Sequence, residues 1–212
     1  DRGIHSIASH GIENPAAGRL SVMHAPTPKR QTPSAVVLGF IGRLNTHVCR
    51  PMMHEQAGLY HSYVHWEFPP KDVCHDSSLP EGVSPCWRPA MLSCDLNLCP
   101  TGSDPSSYRL YQSLQQGSVP VYVYDYRGAW IPYRGTQGDI RNGLGFVVPY
   151  NGLAKLMERL QREGFNQGNV TQMRRNIMRV KDEHFTPEGV MLQVQRFLEA
   201  PSANASNLRC CA

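Results

Sequence analysis

The sequence has no long apolar run, no block of like charges and no low-complexity tract. None of its apolar stretches approaches the roughly 18 to 20 residues that a membrane-spanning helix requires. Residues 1–10 lack the charged start and the apolar middle of a signal peptide. The formal charge of +4 comes mostly from scattered arginines, so we expect no broad electrostatic contact with nucleic acid.

Short motifs of several common sites are missing as well. The stretch PTGSDPSS, residues 100–107, has neither the Lys-Ser/Thr pair of a Walker loop nor the GxGxxG spacing of a dinucleotide site. His54, His61 and His65 lack the HExxH arrangement of a zinc enzyme, so we expect a half-exposed helix face, with a structural zinc as the alternative. The cysteines form no CxxC pair, which argues against a redox centre. We therefore predict no metal site.

Cysteines and glycosylation sequons, in contrast, are frequent. Seven cysteines are many for a reducing compartment. The tripeptides that begin at Asn169 and Asn204 both match the N-glycosylation sequon, and together these features favour a lumenal or secreted protein. Cys74 and Cys86 flank a loop-like stretch, so a disulfide between them is the preferred pairing, and the odd cysteine count leaves at least one thiol unpaired.

The chain is predicted to form one compact domain, residues 35–200, between two less regular ends. Residues 1–34 mix Gly, Pro, Ser and His without a period, which is typical of a linker or lead-in segment. Residues 201–212 are expected to be a flexible tail. Three short apolar runs predict strands buried in a parallel sheet: residues 34–42, 96–99 and 119–125.

A helix is predicted over residues 105–116, between two of these strands. Asp104 suits its N-cap, Pro105 its first position and Gly117 its left-handed end. Helical spacing turns one set of side chains toward the sheet: Tyr108, Leu110, Tyr111 and Leu114. A second set is free to bind: Arg109, Gln112 and Gln116.

Apolar stripes at helical spacing predict the remaining helices. One helix begins beyond Pro51, with the stripe Met53, Ala57, Tyr60 and Val64. Three more follow in the C-terminal region, with the stripes Leu153, Leu156, Met157 and Leu160; Val170, Met173, Ile177 and Val180; and Val190, Val194 and Leu198. Strands alternating with helices predict a mostly parallel α/β sheet with helices on both faces, which binds ligands at the carboxyl ends of its strands.

The turn at residues 100–107 lies at such a carboxyl end. Its amides and the N-terminus of the following helix together favour a phosphate. Asp104, however, would cap the same amides with its own carboxylate and repel an anion. The residues alone therefore leave two interpretations, a capped structural turn and a phosphate site.

A family resemblance favours the phosphate site. From Cys94 to Leu160 the order LNLCPTG, SSYRLYQSLQQGSVPVYVYD, WIPY, GFVV and LAKLMERL resembles the exostosin-like glycosyltransferases of family 47, whose signature is approximately FCLCPRG, SSxRLYEALQxGxIPVxIxD and WLPF. AVVLGFIG is similar to the first strand of that family's donor-binding domain. The resemblance implies a GT-B fold with two Rossmann-like halves, of which this chain is the C-terminal, nucleotide-sugar-binding half. FIGRLN also resembles the VGRL turn of family 4 transferases, so a GT-B enzyme of another family is an alternative.

The resemblance implies a donor site around this turn. Arg109 matches the motif arginine, the implied catalytic residue that balances the leaving diphosphate. Gln112 stands where the family usually has Glu, the residue expected to accept hydrogen bonds from the ribose hydroxyls; an amide can still accept, but without charge. Thr101 replaces a common basic residue before Gly102. The other donor-binding candidates are Gly42, Arg43, Gly102, Ser106, Ser107 and Asp125. For Asp125 a loop cap and for Arg43 a solvated side chain are alternatives. Trp130 and Tyr133 match WLPF and are expected to pack the domain.

The implied reaction is an inverting transfer of a sugar from a UDP-linked donor to a glycan or glycoprotein, without a metal or any cofactor beyond the donor. The implied partners are the acceptor and an N-terminal half of the same enzyme, which would supply the general base. The implied location is the Golgi or secretory lumen, as a type II membrane protein anchored upstream of this chain. Gln112 and Thr101 support a different class, a degenerate noncatalytic domain that acts as a partner subunit. A nucleotide-sensing α/β domain is a third interpretation.

Overall fold

The structure, a computed structural model, describes residues 35–68, 87–103 and 105–199. Within these ranges five strands form one parallel sheet: β1 (Leu38–Ile41), β2 (Tyr63–Trp66), β3 (Leu96–Pro100), β4 (Val119–Tyr124) and β5 (Phe146–Pro149). The same ranges contain six α-helices: α1 (Cys49–Gly58), α2 (Trp87–Ser93), α3 (Tyr108–Gln116), α4 (Leu153–Arg162), α5 (Gln167–His184) and α6 (Pro187–Glu199). The strand order is β2-β1-β3-β4-β5.

Helices cover both faces of this sheet. Helix α1 packs against α4, whereas α3 packs against α2 and α5. Every residue of β3 is buried, and so is all of β4 except Tyr124. Continuous apolar runs without alternation are what such doubly covered strands require. The predicted α/β, Rossmann-like fold class is thereby confirmed.

Helix α3 confirms most of the prediction made for residues 105–116. Leu110 and Leu114 are fully buried, and Gly117 ends the helix with φ of 73°, a left-handed conformation that glycine adopts without strain. The helix begins at Tyr108, however, and not at Pro105. Tyr108 is 90% exposed, so its predicted orientation toward the sheet is wrong. Two helical positions correspond to a rotation of about 200°, which turns Tyr108 away from the face of Leu110.

The stripe predicted beyond Pro51 spans a helix end and a strand that the sequence interpretation missed. Met53 and Ala57 are buried on α1, but the helix ends at Gly58 and Val64 belongs to β2. His65 therefore lies on a strand, and the three histidines do not share a helix face. Its ring stacks on Phe40 instead, with ring centroids 5.3 Å apart. No group of three or more metal-ligating side chains forms within the described ranges.

The three C-terminal helices are present, but only two bury their predicted stripes. The stripe of α4 is buried, and α5 buries Val170, Ile177 and Val180 while Met173 stays half-buried. The stripe of α6 is exposed: Val190, Val194 and Leu198 are 39%, 44% and 70% exposed. No helix in the described part of the chain is both long and apolar enough to cross a membrane.

Three cysteines lie within the described residues, and all of them are buried: Cys49, Cys94 and Cys99. The predicted bridge between Cys74 and Cys86 lies outside the described residues. The same is true of the cap predicted at Asp104, the lead-in segment 1–34 and the tail 201–212.

Candidate functional site

The candidate site lies where the order of strands reverses. Strand β1 is followed by β2 on one side, whereas β3 is followed by β4 on the other. The connections that leave β1 and β3 therefore diverge, and they open a crevice at the carboxyl ends of these strands. Gly42 follows β1 and Gly102 follows the end of β3, so both predicted glycines lie at this edge.

Arg50, on the first turn of α1, reaches between these two glycines. A Cβ atom placed on Gly42 would lie 3.7 Å from its Nη1, and one on Gly102 would lie 4.0 Å from its Nη2. Nη1 donates to the carbonyl of Arg43 at 3.0 Å. Nε is buried and has no hydrogen-bond partner in the described part of the chain. Burial lowers the pKa of the guanidinium, as expected for a charge withdrawn from water.

Arg109 enters the same corner from the N-terminal turn of α3. Its Nε donates to the carbonyl of Ile41 at 3.1 Å, at the end of β1, and its Nη1 donates to Oε1 of Gln112 at 2.7 Å. The guanidinium lies over the ring of Trp87. Burial lowers the pKa of Arg109 to about 10, and the positive charge of Arg50 adds to this effect while Cys99 opposes it.

Two cationic side chains thus lie close together without a described counter-ion. Neither Arg50 nor Arg109 forms an ion pair with any carboxylate of residues 35–68, 87–103 and 105–199. Both are half-buried, so water screens their repulsion less than it would on an open surface. The repulsion between two such charges costs free energy, and an anion that binds between them would offset it.

Ser107 provides a neutral donor at this corner. It is the N-cap residue of α3 and is 3% exposed, yet its side chain makes no cap hydrogen bond. Its Oγ has no partner among the described residues. A buried hydroxyl without a partner costs free energy, and the N-terminus of a helix favours negative charge. Ser106 and Gly102 are half-buried.

Asp125, the candidate at the end of β4, is engaged in holding a loop. Its carboxylate accepts from the backbone N–H and from Nε of Arg127, at 2.9 and 2.8 Å, and lies 3.2 Å from Nε2 of His47. Arg127 in turn donates to the carbonyls of Gly102 and Ser103, at 3.0 and 2.6 Å. Burial raises the pKa of the carboxyl, but the contacts with Arg127 outweigh it and hold the pKa below its usual value. These are the contacts of a loop cap, and donor binding by Asp125 stays a prediction.

The other predicted candidates lie at the margin of this corner or inside the fold. Arg43 is 57% exposed and faces Glu67 at 3.8 Å, which matches the solvated alternative. Thr101 is fully buried and its Oγ1 lies 3.5 Å from the thiol of Cys49. Trp130 packs against Tyr111, and Tyr133 packs edge-on against Phe185.

Arg50, His47 and Arg127 are the residues that motif comparison missed. No short motif marks them, because their proximity depends on how three separate strands are ordered. One weak signal was available: the three residues follow the end of a strand by three to nine residues, and the carboxyl ends of parallel strands meet at one edge.

Comparison with solved structures finds a similarity to the spinosyn forosaminyltransferase SpnP. The sequence identity is 13% and the TM-score is 0.38, and the similarity covers 78% of this chain and 44% of that chain. The chain therefore spans less than half the length of that protein. No family model and no curated protein matches the chain.

Proposed function

We propose that this domain is the donor-binding half of a glycosyltransferase and that it holds the diphosphate of a nucleotide sugar. One observation carries the proposal. Arg50 and Arg109 lie together at the crevice where the strand order reverses, and neither has a described counter-ion. The hydroxyl of Ser107, at the start of the helix that carries Arg109, has no described partner either. The resemblance of residues 94–160 to the exostosin-like family supports the same ligand.

The donors at this corner suit a diphosphate that gains charge as it leaves the sugar. Arg109 uses Nε and part of Nη1 within the protein, so its remaining N–H groups are available to phosphate oxygens. Arg50 supplies a second positive charge, and Ser107 supplies its unpartnered hydroxyl together with the amides at the start of α3. Donors fixed before the reaction stabilise the departing charge without having to reorganise.

The remaining features of the proposed reaction follow from the resemblance. The donor is UDP-linked, the transfer is inverting, and arginines rather than a metal ion neutralise the diphosphate. The acceptor is a glycan or glycoprotein, and the general base belongs to an N-terminal half of the same enzyme. The proposed location is the Golgi or secretory lumen, with a type II membrane anchor upstream. This chain alone should therefore bind the donor but hardly turn it over.

A noncatalytic partner subunit is the second candidate, and one observation favours it. Gln112 accepts from Arg109 at 2.7 Å, so the oxygen proposed for the ribose is already engaged by the protein. An amide also binds a ribose hydroxyl less strongly than a carboxylate would, because it carries no charge. A domain with this substitution can keep its fold and its surface while it has lost tight donor binding.

Titration calorimetry with UDP separates the two candidates. We expect micromolar binding to the chain, with a loss of about 10- to 100-fold in Arg109→Ala and in Arg50→Ala, because each variant removes a charged contact. Arg175→Ala is the matched control, since that arginine is exposed on α5 and should not affect binding.

The pattern of ligands gives the remaining test. A donor site should prefer UDP and UDP-sugars to ATP, whereas a nucleotide-sensing domain would not discriminate between sugars. Absence of binding to any nucleotide would contradict the donor site and favour the partner subunit. An equal loss in Arg175→Ala and Arg109→Ala would show that binding reflects net charge alone.

A further inference from the structure

The sequon at Asn169 lies on the first turn of α5, where its asparagine takes part in a helix cap. Asn166, the N-cap residue, accepts from the amide of Gly168 through Oδ1 at 2.8 Å. Asn169 accepts from the amide of Asn166 through its own Oδ1 at 3.0 Å. This reciprocal capping box fixes which end of the Asn169 side-chain amide faces the backbone, because only the oxygen can accept.

Nδ2 of Asn169, the atom to which a glycan would be attached, therefore lies on the side of the amide that makes no cap hydrogen bond. Both Asn169 and Thr171 are exposed residues of the folded domain. N-glycosylation joins Nδ2 to the anomeric carbon of an oligosaccharide, expels the lipid diphosphate that carried the sugar and releases one amide proton. The product keeps its carbonyl oxygen, so the hydrogen bond to Asn166 survives the modification.

The start of α5 lies at the amino edge of the sheet. Gln167 donates from Nε2 to the carbonyl of Ala35 at 3.2 Å and to Oδ2 of Asp95 at 2.8 Å, and these residues precede β1 and β3. Arg50 and Arg109, which together form the arginine corner, lie at the carboxyl edge. Strands of four to five residues separate the two edges by roughly 15 Å.

We propose that Asn169 is an N-glycosylation site when the chain passes through a secretory compartment, and that its glycan projects from the edge opposite the arginine corner. The glycan leaves that corner uncovered. This inference does not depend on the proposed function, because it rests on the cap, on the exposure of the sequon and on the placement of α5.

Expression of the full chain behind a cleavable secretion signal in cultured animal cells tests the proposal. All samples carry Asn204→Gln, which removes the other sequon, in a part of the chain that the structure does not describe. We expect a mobility shift that an amide-cleaving glycosidase abolishes, with conversion of Asn169 to aspartate detected by mass spectrometry. Thr171→Val should abolish the shift, and Thr171→Ser, the matched control, should retain it because serine preserves the sequon.

Two results would overturn the inference. One is secreted chain without a glycosidase-sensitive shift, and the other is a shift that persists in Thr171→Val. Placement of the glycan has its own measurement, the affinity for pyrophosphate before and after glycosidase treatment. Equal affinities are expected, and a change of tenfold or more would contradict a glycan on the opposite edge. The mobility shift and the conversion of Asn169 to aspartate do not depend on whether the arginines bind an anion, whereas the comparison of affinities does.

Discussion

Arg109 and Gln112 lie one turn apart on α3, and Nη1 of the arginine donates to Oε1 of the glutamine at 2.7 Å. The amide orients the guanidinium without neutralising it, whereas a glutamate at this position would place a carboxylate beside it. The glutamine thus leaves Arg109 without a neutralising charge, and Arg50 has no described counter-ion either. Compared with a glutamate, the glutamine is expected to favour binding of phosphate, because it leaves the charge of Arg109 in place. It is expected to weaken binding of a ribose hydroxyl, because an amide carries no charge.

Gln112→Glu separates these two effects. We expect it to weaken binding of inorganic pyrophosphate by about 3- to 10-fold, because the new carboxylate offsets part of the charge of Arg109 in a half-buried setting. Gln112→Met, which has a similar shape and no charge, should weaken it less. Calorimetry with pyrophosphate measures the phosphate contribution without the ribose. Tighter pyrophosphate binding in Gln112→Glu would refute an anion site at Arg109.

Asp125 should make the stability of the domain depend on pH. Its pKa is held below the ordinary value in the folded state, so its contribution to stability is present above the unfolded pKa of about 4 and is lost as the pH falls below it. At pH 7 we expect Asp125→Asn to lower the free energy of unfolding by about 2 kcal/mol, because it weakens charged hydrogen bonds to Arg127.

Urea denaturation at pH 7 and pH 3 measures this difference. The gap between wild type and Asp125→Asn should shrink at the lower pH. Asp182→Asn is the control, since Asp182 is 81% exposed and its distance to Lys181 is 3.9 Å. A gap that is the same at both pH values would show that the carboxylate charge is not what stabilises the loop.

The two faces of α3 should differ in their tolerance of alanine. Leu114 is fully buried, and Leu114→Ala should lower the free energy of unfolding by about 2 to 5 kcal/mol through lost burial and a cavity. Tyr108→Ala, on the same helix but 90% exposed, should change it by less than about 0.5 kcal/mol. Thermal or urea unfolding provides the comparison. Similar losses in both variants would mean that the helix faces the sheet in a different register.

Cys99 should be inert in the folded domain. It is fully buried, and burial raises its pKa to about 12, while Ser113 lies 3.4 Å from its sulfur. Iodoacetamide at pH 8 should leave Cys99 unmodified in the native protein and label it in urea, because the thiolate is the reactive species. Peptide mapping by mass spectrometry gives the result residue by residue. Rapid native labelling of Cys99 would contradict its placement in the core.

Local features of the fold were accessible from the sequence because they depend on neighbouring residues. The stripe of Leu153, Leu156, Met157 and Leu160 predicts α4 and its buried face, and all four side chains are buried. Gly117 was identified as a helix end because few other residues tolerate its conformation. Strand β2 was missed because Tyr60 and Val64 continue the spacing of α1, so a helical pattern and a strand coincide in one segment.

The position of the arginine corner was predictable from the sequence only in part. Arg109, Ser107 and Gly102 belong to one continuous motif, so the sequence alone placed them together. Arg50 lies more than fifty residues earlier, and its position between Gly42 and Gly102 depends on β1 and β3 being neighbours. Asp125 was correctly placed at a strand end, but its partners Arg127 and His47 come from two different connections.

By itself the sequence determined the alternation of buried strands and amphipathic helices, the turn before α3 and the arginine that follows it. These properties are set by side-chain periodicity and backbone preference within a few residues. Only the tertiary structure decided which charges meet, because the order of strands brings Arg50 to Arg109 without a described counter-ion and joins Asp125 to Arg127 and His47. Electrostatic free energy depends on distance through space, and distance along the chain does not specify it.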